Sequence, residues 1–148
     1  MKQSLNIICI LLVAATALLC GCQLSHPGWS SLAYVEVEGV SLKRVSEAAV
    51  KVFASEGYEV QVALENEIRF VKEGSLNDRL QYARYNESLK MSVDVTLEPF
   101  GKRSILVRAD AYAVSGGLGR SEVKLLKIAR RPYQQILKRV KEHAQATP

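Results

Sequence analysis

Apolar residues recur along this chain at two intervals, every second residue or every third and fourth, and each change of interval marks a new element. Over residues 32–40, Ala33, Val35 and Val37 alternate with Tyr34, Glu36 and Glu38, which predicts a half-buried strand ending at Gly39. Ser41 then has the chemistry of a helix N-cap, and Leu42, Val45, Ala49, Val52 and Phe53 share one helical face as far as residue 56. Gly57 suits the C-terminal cap because glycine takes the left-handed conformation at little cost. Tyr58, Val60, Val62 and Leu64 predict a second strand facing inward, and Glu65-Asn66 turns it into a third over residues 68–72. Residues 75–87 fit either a short helix, with Leu76, Leu80 and Ala83 on one side, or a long irregular loop. Leu89, Met91, Val93, Val95 and Leu97 alternate strictly with polar residues. Past Pro99-Phe100-Gly101-Lys102, a return strand buries Ile105, Val107, Ala109, Ala111 and Ala113. Gly116, Gly117 and Gly119 break the chain. Pro132 divides the helical spacing that follows into a short segment with Leu125, Leu126 and Ala129 and a longer one with Tyr133, Ile136, Leu137 and Val140 inward.

The predicted order is strand, helix, hairpin, undecided segment, hairpin, helix. About five strands with one apolar face, and two amphipathic helices to cover that face, make an α+β two-layer sandwich on a mainly antiparallel sheet. Residues 32–148 form its single domain. The order is also similar to that of the small helix-on-sheet modules of outer-membrane assembly lipoproteins.

The first residues follow another logic. Lys2 precedes an apolar run from Ile7 to Leu19, too short for the roughly 20 residues that cross a bilayer. One positive charge, a short apolar stretch and a small-residue exit are the parts of a secretory signal. At its end, Leu19-Cys20-Gly21-Cys22 resembles the lipobox of bacterial lipoproteins. The resemblance implies cleavage between Gly21 and Cys22, a diacylglyceryl thioether on Cys22 and an acyl group on its amine, palmitate being the usual chain. Residues 1–21 are then a removed signal peptide and residues 22–31 a lipid-anchored linker. Gln23 stands where the family's inner-membrane retention rule looks for Asp. In a two-membrane cell this implies the outer membrane, on its periplasmic side.

Charge and cysteine content follow from that reading. Of 20 basic residues Lys2 alone lies in the leader, leaving 19 against 15 acidic ones in the mature chain. Arg120, Lys124, Lys127, Arg130, Arg131, Lys138, Arg139 and Lys141 crowd residues 118–148 against only Glu122 and Glu142. A sequence pI near 9.2 points to nucleic acid in a cytoplasmic protein, but an exported one does not meet it, so no nucleic-acid partner is expected. Cleavage discards Cys9 and Cys20 and lipid consumes Cys22, leaving no disulfide and no reactive thiol.

Reactive constellations are sparse. His26 lies in the linker and His143 near the C-terminus, neither set beside a nucleophile, and no zinc spacing, phosphate loop or nucleophile elbow occurs. No metal or cofactor other than the lipid is expected. Glu36, Glu38, Glu59, Asp94 and Asp110 can share the polar sheet face, as paired acids of an envelope hydrolase or as partners of Arg69, Lys90 and Arg108 in cross-strand ion pairs. Lys124, Lys127, Arg130, Arg131, Lys138 and Arg139 offer a surface to anionic lipid, lipopolysaccharide, peptidoglycan carboxylates or an acidic envelope protein. The expectation is a non-enzymatic, membrane-tethered binding or scaffold module, with the hydrolase and the anionic-polymer binder as alternatives.

Overall fold

The computed structural model describes residues 30–82, 88–116 and 121–146. Cys22, its leader and most of its linker lie outside them, as do Gly117 and Gly119. The elements run in the order β1 (Ala33–Glu38), α1 (Leu42–Ser55), β2 (Glu59–Ala63), β3 (Glu67–Glu73), α2 (Leu76–Tyr82), β4 (Ser88–Phe100), β5 (Ser104–Gly116), β6 (Ser121–Lys124) and α3 (Arg130–Ala146). The 3-10 turn Lys127–Ala129 leads into α3. The fold is α+β, an antiparallel sheet in the order β1-β5-β4-β3-β2 with helices packed on it.

Strict alternation makes β4 and β5 the spine. Leu89, Met91, Val93, Val95 and Leu97 of β4 face the helices beside Val107, Ala109, Ala111 and Ala113 of β5, all of them buried. Gly101, at φ 65°, supplies the left-handed residue of the turn between them. The short alanine side chains let the helical layer approach closely. Onto this floor α1 sets Val45, Ala48, Ala49, Val52 and Phe53, and α3 sets Tyr133, Ile136, Leu137, Val140 and Ala144. Both helices start and stop for local reasons. The Ser41 hydroxyl accepts the Arg44 amide, Gly57 takes φ 80° after the last turn of α1, and Pro132 lies in the first turn of α3, where its missing N–H leaves no bond unmade.

The Phe53 ring stacks on Phe70 of β3 at 4.2 Å between centroids and meets the Tyr58 ring edge-on at 5.4 Å. Tyr58 hydrogen-bonds to Tyr133 of α3, and burial pushes both phenols above their ordinary value of 10.0. The folded state therefore keeps protons that the unfolded chain has released at high pH. Stability from this pair is complete below pH 10 and falls as pH rises beyond it. Tyr58→Phe is expected to flatten that alkaline fall, while costing about 1 kcal/mol at neutral pH through the lost hydrogen bond. Urea midpoints on either side of pH 10 read both effects.

The two outer strands β1 and β2 differ. At β1, the Gln134 amide of α3 donates to the Tyr34 carbonyl at 2.7 Å and accepts the Tyr34 N–H at 3.4 Å, occupying the groups that a foreign strand would use. At β2 the sequence-based expectation fails. A bulge between Val60 and Val62 puts Val60 opposite Phe70 but Val62 opposite Arg69, on the other face. Val60, Val62 and Leu64 are exposed, and of the expected row only Tyr58 is buried.

Two further segments depart from, or decide between, the sequence expectations. Residues 76–82 are helical, held by a reciprocal cap in which the Ser75 hydroxyl accepts the Asp78 N–H at 3.2 Å and Asp78 accepts the Ser75 N–H at 2.8 Å. Leu76 and Leu80 are nevertheless exposed, and residues 83–87 lie outside the described part. Of the short helix expected with Leu125, Leu126 and Ala129, only the 3-10 turn Lys127–Ala129 forms, Leu126 is exposed, and the residues just before Leu125 are the strand β6. β1 pairs with β5 only from Ser104 to Ala109, leaving the stretch from Tyr112 to Ser115 open, and residues 121–124 take that vacant edge. Backbone pairing over long range thus overrides the helical spacing.

Candidate functional site

The face of the sheet turned away from the helices carries all five candidate carboxylates. Glu36 and Glu38 stand on β1 opposite Leu106 and Ser104, and Glu59 stands on β2 opposite Val71. Only Asp94 and Asp110 become direct cross-strand neighbours. Like charges so placed repel, and each is matched by a cation from its other side. Arg69 of β3 donates twice to Asp94, at 2.6 and 2.7 Å, and Lys124 of β6 approaches Asp110 to 3.0 Å. The row Arg69, Asp94, Asp110, Lys124 thus crosses four strands. Its hydrogen bonds push both the Arg69 and the Lys124 pKa up from their ordinary values, Lys124 also lying 5.9 Å from the Tyr112 ring centre. Asp110 has a further duty: it accepts the Leu32 N–H at 3.0 Å, fixing the start of the domain to β5.

Arg69 therefore pairs with one of the expected acids, whereas Arg108 and Lys90 form cross-strand ion pairs with acids outside the expected five, Glu98 and Glu73. Arg69→Ala leaves two adjacent, half-buried carboxylates with one cation. It is expected to lower stability by about 2 kcal/mol, read from the urea midpoint, with Arg69→Lys recovering only part because lysine lacks the bidentate fork.

No known protein family matches the chain, and comparison with curated proteins finds no match. The residues themselves must carry the functional reading.

The basic C-terminal candidates do not form one surface. Lys124 belongs to the ion-pair row on the sheet and not to a helix. Arg139 is bridged to Glu56 at 2.6 Å. Lys127 opens the 3-10 turn, and its side chain lies outside the described part. Arg130 bonds to Gln134 at 3.1 Å and lies over the Tyr34 ring at 5.4 Å. Arg131 and Lys138 are exposed and have no carboxylate partner among the described residues. Arg130, Arg131 and Lys138 converge, with Gln134, Gln135 and Ile128, around an open depression of about 420 Å³. The sequence missed Ile128, which is 90% exposed at its rim. Its signal is an apolar residue between Lys127 and Arg130 that the helical face of Leu125, Leu126 and Ala129 leaves out. Among the described residues no group of three metal-ligating side chains converges, and no helix is long and apolar enough to cross a membrane.

Proposed function

We propose that the chain is a bacterial lipoprotein, acylated on Cys22 and held at the cell envelope on the periplasmic side of the outer membrane. Its domain is a non-enzymatic binding or scaffold module for another envelope component. The observation that carries this reading is the box Leu19-Cys20-Gly21-Cys22 closing a charged and then apolar leader, directly ahead of a self-sufficient core that begins at Leu32. The matched carboxylates support the non-enzymatic part. Asp94 and Asp110, the pair best placed for acid–base work, are each engaged by a cation and serve to hold β3, β4, β5 and β6 in register. Envelope fractionation tests the placement. The protein is expected to sediment with membranes, to resist extraction by high salt and to be released by detergent. Recovery in the soluble fraction would sink the proposal.

A further inference from the structure

We infer that the edge where β6 gives way to α3 rests on the anionic face of a phospholipid bilayer. Leu126 and Ile128 enter the headgroup layer there, and Arg130, Arg131 and Lys138 meet the lipid phosphates. The placement of this edge relative to a membrane rests on the tether proposed above; the contact itself is testable without it.

Three observations converge. Leu126 is 76% and Ile128 90% exposed, two aliphatic side chains presented to solvent within three residues of each other. Beside them the Arg130, Arg131 and Lys138 side chains surround a shallow hollow free of acidic lining residues. Apolar residues next to a hollow lined by lysine and arginine match the interface of an anionic bilayer, where apolar insertion and phosphate attraction add. The third observation is where the chain joins the domain. Ala33 pairs with Ala109 of β5, and the Leu125 N–H donates to Ala111 two residues further along the same strand, so the two segments lie only about 7 Å apart along β5. From Cys22 to Ser30 the chain reaches at most about 29 Å fully extended. An acyl group on Cys22 is therefore joined to the domain beside this edge, at the end of the sheet opposite β2.

The exposed aliphatic residues at the opposite edge of the sheet differ in their charged neighbours. Val60 and Val62 of the opposite edge strand, and Leu64 just after it, lie among Glu59, Glu65 and Glu67, which an anionic surface repels.

The test uses the chain from residue 22 with Cys22→Ala, so that no acyl group contributes. Vesicles of phosphatidylethanolamine and phosphatidylglycerol are expected to sediment it, phosphatidylcholine vesicles far less, and added salt to weaken the binding. Leu126→Asp with Ile128→Asp is expected to lower the partition coefficient about tenfold or more. Arg131→Glu with Lys138→Glu is expected to do the same. All four positions are exposed, so thermal unfolding should stay unchanged. Failure of the parent to bind, or binding unaltered by both pairs, overturns the inference and leaves this edge to a protein partner. Acylation of the wild-type chain is measured separately, so loss of the anchor reading and loss of this contact cannot be confused.

Discussion

Phe53→Ala is expected to lower the stability of the domain by about 3–5 kcal/mol, the largest effect of any single core substitution considered. Phe53 is fully buried and joins three elements at once: α1, which carries it, β3 through the stacked Phe70 ring, and the chain after Gly57 through the Tyr58 edge. Truncation removes the transfer free energy of the ring and leaves a cavity that cannot collapse, because Phe70 is pinned in the sheet opposite Val93. The lost ring–ring geometry adds to the cost. A domain of this size is stable by only about 5–15 kcal/mol, so the variant should unfold at a much lower urea concentration with an unchanged slope. Phe53→Leu keeps much of the volume and should lose clearly less. A loss below about 1 kcal/mol for Phe53→Ala would show that the helix–sheet joint lies elsewhere.

The second large effect belongs to Cys22. Cys22→Ala is expected to abolish incorporation of a palmitate analogue and to leave a precursor heavier by the leader, whereas Cys20→Ala should change neither. For the proposed lipoprotein, magnitudes favour the acylated cysteine over the basic edge as the anchor. Each buried methylene contributes about 0.8 kcal/mol, so a single sixteen-carbon chain contributes about 12 kcal/mol. Three basic residues near an anionic surface contribute about 3 kcal/mol together. On the proposed reading, the edge at Ile128 orients a domain that the lipid delivers. Unchanged labelling of Cys22→Ala would move the modification to another residue or remove it.

Alternation and caps made much of this fold legible in the sequence. Val93 and Asp94, or Ser41 and Gly57, report on their own neighbourhoods, and local chemistry decides their conformations. What stayed hidden depends on partners far along the chain. Val60 and Val62 look alike in an alternating row, yet one extra residue in the pairing with β3 sends them to opposite faces. Residues 121–124 form a strand because β1 stops at the level of Ala109 and leaves half of β5 unpaired, which no helical or strand spacing near Lys124 announces. The same limit divided the candidate surface. Lys124 and Arg139 look equivalent to Arg131 and Lys138 as charges in a basic run, but Asp110 and Glu56 claim the first two. The carboxylates of the sheet face were placed correctly by alternation, and the pairing of Asp94 with Arg69 follows from the register of β3 on β4.

The central claim is that chemistry is done to this protein, at Cys22, to deliver its domain to a membrane surface. Mass spectrometry of the N-terminal peptide, from protein purified out of detergent-solubilised membranes, tests it most directly. The account predicts a peptide that begins at Cys22 and carries a diacylglyceryl thioether and an amide-linked acyl chain. A peptide with a free Cys22 thiol, or one still joined to residues 1–21, would contradict it.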